Sequence, residues 1–301
     1  MADAAREKAP SPGLVERLFV GLQHILPQHA LSRVVHRVTR SRVPAIKNRL
    51  IASFVRGFRP EMHDAVEPDP LRYASFNELF TRALRIEARP VNADPHTVVS
   101  PVDGTVSQIG SLEAQRLLQA KNRYYALADL LGGDSPWTER FAGGAFATLY
   151  LAPCNYHRIH MPLDGRLRDV RFVPGRLFSV NAASAASVAG LFARNERVVC
   201  IFENERTPFV LVLVGALFVG SMATVWHGDV TPRRSRRGCE LPLDGTRSPL
   251  ALAKGAEMGR FNMGSTVIVI FPPDTIEWRA DLAPGKPVRM GEPIARLRER
   301  E

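Results

Sequence analysis

The run Val267-Ile268-Val269-Ile270-Phe271 does most to limit what this chain can fold into, and it lies directly behind Phe261-Asn262-Met263-Gly264-Ser265-Thr266. Consecutive apolar, mostly β-branched residues with no polar alternation describe a strand buried on both faces. Such a strand needs a neighbour on each side, so the chain must build a sheet of some breadth. Gly264-Ser265 marks the turn into it. The Ser265 hydroxyl is placed to attack the Gly264 carbonyl, and glycine there allows backbone geometries that a Cβ would resist. A plain turn entering a core strand is the blander reading of the same residues.

Charge is unevenly distributed. Of the net +10, most comes from residues 1–60, which hold eleven Lys plus Arg against three Asp plus Glu. In the same region Leu14, Leu18, Leu22 and Ile25, then Leu31, Val34, Val35 and Val38, then Ile46, Leu50, Phe54 and Phe58 recur at helical spacing. Three amphipathic helices follow, with Arg33, Arg37, Arg40, Arg49 and Arg56 on their polar faces. That combination predicts a surface-lying contact with an anionic membrane; a helical layer packed on the core is the alternative. Cys154, Cys200 and Cys239 are far apart, so no disulfide framework and no metal-ligand spacing is expected. Leu14–Leu26 is interrupted by charge and is not a signal peptide. The uncharged stretch Phe209–Trp226 reads as two buried strands and not as a membrane span.

Glu67-Pro68-Asp69-Pro70 reads as a linker between residues 1–66 and a catalytic domain of residues 67–301. Ser75-Phe76-Asn77-Glu78 has capping-box spacing and predicts a helix through about Ile86. Beyond Pro90 short β-type runs alternate with glycine and proline turns. Pro101-Val102-Asp103-Gly104, Pro162-Leu163-Asp164-Gly165 and Pro242-Leu243-Asp244-Gly245 each look like a turn feeding a strand. Lys254–Phe261 and Pro287–Ala295 resemble the turn pieces of barrel-sandwich domains. The expected fold class is therefore α+β, with a mostly-β, barrel-sandwich-like core and an amphipathic helical N-terminal region.

A serine nucleophile needs a base, most often histidine steadied by a carboxylate. His157 and His160 stand out among eight histidines because they flank Arg158 just ahead of Met161-Pro162. Spacing alone does not choose between them, since residues three apart diverge in a strand and converge on a helix. Nor does it choose Asp103 over Asp164 or Asp244.

Five segments taken together are more specific: Phe76–Arg82, Ser100–Val106, Tyr156–Pro162, Phe172–Asn181 and Lys254–Thr266. In this order they resemble the bacterial phosphatidylserine decarboxylase proenzymes, from about residue 70 to the C-terminus. One departure is Met263, where many members carry leucine; the swap roughly conserves apolar volume. The resemblance implies a triad of Asp103, His160 and Ser265 that cuts the chain between Gly264 and Ser265. The products would be a β chain of residues 1–264 and an α chain of residues 265–301. It further implies that Ser265 becomes a covalent pyruvoyl group, the cofactor that forms a Schiff base with the substrate amine and accepts the electrons left when CO2 departs. His157 is placed near the substrate with a proton-transfer role. The implied substrate is phosphatidylserine in an anionic membrane, the product phosphatidylethanolamine, and the location peripheral, on the cytoplasmic side of the cell membrane. No metal and no nucleic-acid partner is expected, and a homodimer is left open. Arg158 and the cluster Arg233-Arg234-Ser235-Arg236-Arg237 are candidates for anionic substrate groups.

Two other classes compete. A serine hydrolase would use the same three residues without self-cutting, although Ser265 is not in a Gly-x-Ser-x-Gly elbow. A non-catalytic barrel-sandwich scaffold would use the basic region only for attachment.

Overall fold

The structure is a computed structural model, and it describes residues 13–113, 115–120, 123–217, 221–231, 238–240 and 250–299. The Arg233–Arg237 cluster and the third turn, Pro242–Gly245, lie outside the described residues.

Nine strands position the site: β1 (Gly104–Ser111), β2 (Ala145–Tyr150), β3 (Arg158–His160), β4 (Gly165–Val173), β5 (Arg197–Glu203), β6 (Pro208–Val214), β7 (Met222–Thr224), β8 (Glu257–Phe261) and β9 (Thr266–Phe271). The large sheet runs β4-β5-β6-β9-β2-β1, with short strands at its edges, and β9 lies inside it. Every residue of β9 is buried. It is antiparallel to β2 on one side and to β6 on the other, with Thr266 opposite both Tyr150 and Val214. The apolar run therefore occupies the place its composition demanded. A second sheet pairs β7, β8 and β3, and it brings the His157–His160 segment alongside the strand leading to Ser265. The turns at Asp103-Gly104 and Asp164-Gly165 do feed strands, β1 and β4. The arrangement is α+β, and among the described residues no sheet closes on itself.

The three N-terminal helices form as α1 (Leu14–Ile25), α2 (Gln28–Thr39) and α3 (Pro44–Phe58). Helix α2 is inside out. Its buried residues are Gln28, Ser32 and Thr39, while Val34 and Val38 face outward. The polar face docks through specific hydrogen bonds: Gln28 Oε1 accepts from Leu177 N at 2.9 Å, and Arg40 Nη2 reaches Asp229 Oδ2 at 2.9 Å. On α1, Gln23 Oε1 accepts from Ser179 N at 2.7 Å. No helix among the described residues is long and apolar enough to cross a membrane.

Phe209–Trp226 contains β6 and β7, as expected of two buried strands. The helix expected through Ile86 is shorter. Ser75 caps it by accepting from Glu78 N at 3.2 Å, but α4 spans only Phe76–Phe80. Tertiary pairing ends it: Leu84 makes an antiparallel bridge to Ala65, which needs extended backbone. Helices α3 and α4 meet through Phe54, Phe76 and Phe80, and Met263 packs on this cluster as well as on the main core.

Candidate active site

Ser265 is fully buried, and its Oγ has no hydrogen-bond partner. Its position is set from both sides. Its own carbonyl accepts from Leu151 N at 2.8 Å. Upstream, Asn262 N donates to Ser221 O at 2.9 Å, Asn262 Nδ2 donates to Ser221 Oγ, and Asn77 Nδ2 donates to Asn262 Oδ1 at 3.2 Å. The segment of residues 262–265 is thus strung between two anchors.

The need for glycine at 264 is a matter of space. Gly264 does not adopt the left-handed backbone, so the expectation of a special geometry is corrected. A Cβ placed there would stand 3.0 Å from His157 Nε2 and 3.2 Å from Leu151 O. The histidine and the Gly264 backbone are packed together, and a side chain would push them apart.

His157 and His160 diverge, because the backbone from Arg158 to His160 is the strand β3 and residues three apart in extended chain point to opposite faces. His157 turns towards Gly264 and packs its ring 4.0 Å from that of Phe80. Its Nδ1 lies 2.8 Å from Asn155 O, which can only accept, so Nδ1 carries the proton and Nε2 keeps its lone pair. Nε2 is buried without a partner. Burial drives the His157 pKa down to about 3; the Asn155 carbonyl opposes this and the Arg82 charge adds to it.

His160 donates from Nδ1 to Gly255 O at 2.7 Å, and its Nε2 accepts from Tyr156 Oη at 2.9 Å. Gly255 sits at φ +80, where a Cβ would be strained and would also meet Val91, so the turn that presents this carbonyl depends on glycine. Burial lowers the His160 pKa as well; the Gly255 carbonyl, Glu257 and Asp103 oppose this and the Arg158 charge adds to it.

Asp103 is 5% exposed and accepts from Arg89 at both oxygens, the shortest contact being Nη2 to Oδ2 at 2.7 Å. Met290 N adds a third donor and a fourth hydrogen bond at 2.9 Å. The trio that the resemblance implies is brought into one region and is not joined by hydrogen bonds. Asp103 is held by Arg89, His160 by Gly255 and Tyr156, and Ser265 Oγ by nothing. Arg158 is engaged on one side, with Nη1 2.8 Å from Glu257 Oε2 and Nε 2.9 Å from Thr81 O.

A cavity of about 210 Å³ opens beside Gly264. Phe54 and Phe58 from α3, Phe80 from α4, and Tyr150, Leu151 and Met263 line it. Sequence reasoning missed Arg89 and Tyr156 as partners of the site, because nothing in a sequence pairs Arg89 with Asp103. It also missed Arg82, although that residue ended one of the motifs that carried the resemblance. The three cysteines are free, as expected.

Comparison with known proteins identifies the family. The family model described as Phosphatidylserine decarboxylase matches residues 76–296, and one described as PSD matches residues 18–59. The phosphatidylserine decarboxylase proenzyme of Bordetella pertussis is 51% identical over 280 residues, covering 93% of this chain and 94% of the relative. That of Pseudomonas fluorescens is 50% identical over 277 residues, covering 92% and 96%. That of Nitrosococcus oceani is 51% identical over 275 residues, covering 91% and 90%. With likeness of this depth along nearly its whole length, the chain belongs to the phosphatidylserine decarboxylase family.

Proposed function

We propose that this chain is a self-processing, pyruvoyl-dependent decarboxylase that converts phosphatidylserine to phosphatidylethanolamine and CO2. One observation carries the reading: the Ser265 hydroxyl is sealed in the core without a partner, next to a glycine that lies against an equally partnerless, neutral histidine nitrogen. Buried polar groups left unpaired in a native fold are costly, and they concentrate where chemistry needs them.

Cutting proceeds within the chain. Ser265 Oγ attacks the Gly264 carbonyl carbon and gives its proton to a base, the Gly264–Ser265 C–N bond breaks with a proton going to nitrogen, and an ester remains. The base must tolerate a positive charge. His157 is closer to Gly264, but burial and the Arg82 charge hold it neutral. Burial and Arg158 lower the His160 pKa too, but there Glu257 and Asp103 offset them, whereas no carboxylate offsets the burial of His157, which favours His160 as the base with Asp103 as its carboxylate. To reach Ser265, His160 Nε2 exchanges its Tyr156 contact for the serine hydroxyl. Loss of the Ser265 Cα proton then drives the Cβ–Oγ electron pair out with the Gly264 carboxylate. The resulting enamine takes up water and releases ammonia, leaving the pyruvoyl terminus.

The residues present fit that group. Ser265 is enclosed, glycine precedes it, and its hydroxyl binds nothing that must be broken. When present, a pyruvoyl ketone supplies the electron sink that no ordinary side chain offers for loss of CO2. The chain's own residues do the rest. His157, oriented by Asn155 O, holds its Nε2 lone pair towards Gly264, where it takes up a proton before passing it to the substrate carbon, and Phe54, Phe58 and Phe80 give the cavity an apolar wall. The products 1–264 and 265–301 stay together because β9 is paired on both sides.

A lipid surface suits the helical region. Leu18, Leu22 and Ile25 on α1 and Val34 and Val38 on α2 are exposed, Ile25 at 80%, while polar residues hold both helices to the core. An outward apolar stripe flanked by Arg33 and Arg37 lies well in the headgroup zone. Residues 1–66 thereby serve as the membrane-associating region and 67–301 as the catalytic domain, peripheral on the cytoplasmic side. Intact-mass measurement of the purified protein tests the whole reading. Two chains split after Gly264, with a ketoacyl residue at 265, are expected, and Ser265→Ala should remain one chain that releases no CO2. An active protein that stays whole would refute it.

A further inference from the structure

Three arginines are buried among the described residues, and the fold treats them differently. Arg197 gives its guanidinium to the main-chain oxygens of Leu130, Ala193, Asn195 and Asp129. Arg89 pairs with Asp64 and Asp103. Arg82, 2% exposed, donates only from Nη2, to Cys154 O at 3.2 Å; Nε and Nη1 are buried with no acceptor. The neighbouring carboxylate does not serve, since both Asp103 oxygens are occupied by Arg89 and Met290 N. A guanidinium does not shed its proton, and one left buried and uncompensated is strongly unfavourable. A fold that saturates Arg197 has the means to saturate Arg82, and does not.

Its position is informative. Arg82 follows Phe80, whose ring packs on His157 and lines the cavity beside Gly264. Its Nη2 contact is to Cys154 O, next to Asn155, whose carbonyl orients the histidine packed against Gly264, and its charge reaches that histidine.

We propose that Arg82 is an oxyanion-binding residue, receiving either the carboxylate freed at Gly264 by cutting or the phosphodiester of the lipid headgroup. The chemistry is shared: charged oxygens on a guanidinium fork. Burial favours the first source, because the Gly264 carboxylate is born inside the protein. In the elimination step the Cβ–Oγ electrons leave with that carboxylate, and a cation beside it stabilises the leaving group. Binding at the departing carboxyl of the substrate is disfavoured, since it would stabilise the ground state more than the transition state.

The inference rests on the self-cutting reading, and its test separates the two. Arg82→Gln and Arg82→Lys are made in the wild-type and Ser265→Ala chains. The readouts are appearance of the 265–301 fragment, urea midpoints of cut and uncut protein, and KM, kcat and inorganic-phosphate inhibition in phosphatidylserine–detergent micelles. With the Gly264 carboxylate as the anion, R82Q leaves the uncut midpoint unchanged or higher, lowers the cut midpoint, and slows cutting on the order of 10-fold or more, while R82K keeps part of the rate. With the headgroup as the anion, cutting and both midpoints hold, KM rises about 10-fold at constant kcat, and phosphate inhibition disappears. Arg82 is merely structural, and the inference overturned, if R82Q lowers the uncut midpoint as far as the cut one or fails to fold in the Ser265→Ala chain. The inference is overturned equally if cutting, midpoints and KM are all unchanged. A wild-type chain that stays whole sinks the underlying reading instead.

Discussion

His157 Nε2 stands 3.0 Å from where a Cβ on Gly264 would be. The histidine and the peptide bond ahead of Ser265 therefore share one packed space, and Gly264→Ala must displace either the imidazole or the main chain at Leu151. Ala at 264 is expected to slow cutting on the order of 10- to 100-fold, the usual effect of an ångström-scale misplacement. Densitometry of the precursor band over time checks this, and wild-type kinetics would count against the tight packing.

The two histidines should separate by step. His160→Ala is expected to abolish cutting, a loss of about 10²- to 10⁴-fold for a missing base, because Asp103 and Glu257 favour charge only there. His157→Ala should still cut and then decarboxylate poorly. Gel and CO2 assays on the same preparations tell the cases apart, and the reverse pattern would reassign the base.

Arg89 holds Asp64 and Asp103 at 2.7 Å each, with side chains 5%, 13% and 7% exposed. Arg89→Met strands two buried carboxylates and should cost about 3–5 kcal/mol. Lysine should rescue little, since it lacks the fork that serves both acids. Urea unfolding in the uncut Ser265→Ala background measures both variants.

Glu196 is buried between Arg176 and Gly215, with His29 of α2 at 3.7 Å, and burial pushes its carboxyl up to about 7. An acid whose folded pKa is raised favours folding while protonated, so its contribution is full below the unfolded value near 4.5 and is lost as pH rises through about 7. Glu196→Gln should therefore match wild type near pH 4.5 and become more stable than it above pH 7, on the order of 3 kcal/mol. His157, depressed to about 3, acts oppositely, removing stability as pH falls below its unfolded value of 6.5. Melting midpoints of both proteins across pH 4–8 decide the sign; a constant offset would assign Glu196 an ordinary carboxyl.

Leu22→Asp or Ile25→Asp places a charge on the exposed apolar stripe of α1. Each should weaken sedimentation with phosphatidylserine-containing vesicles about 10-fold or more, the equivalent of one buried aliphatic side chain. Unaltered sedimentation would move the lipid contact elsewhere.

The α1 to α3 helices were legible because their apolar residues recur at 3.6-residue spacing over three or more turns, and β9 because nothing but a two-sided core accepts Val267–Phe271. Which face of α2 meets the protein was not legible. Its apolar stripe could meet a membrane or the core, and only the docking of Gln28 and Arg40 shows Val34 and Val38 facing outward. The capping signal at Ser75 was correct, yet helix length was decided by the bridge between Leu84 and Ala65.

By itself the sequence determined that Ser265 would stand at the mouth of a core strand behind a glycine, with a basic amphipathic region far upstream, since both follow from local periodicity and residue type. Only the tertiary structure decided which histidine meets Gly264, that Arg89 engages Asp103, and that Arg82 keeps free donors. Those outcomes depend on burial and on charges brought together from distant segments, and the spacing of residues along a chain does not encode the dielectric they end up in.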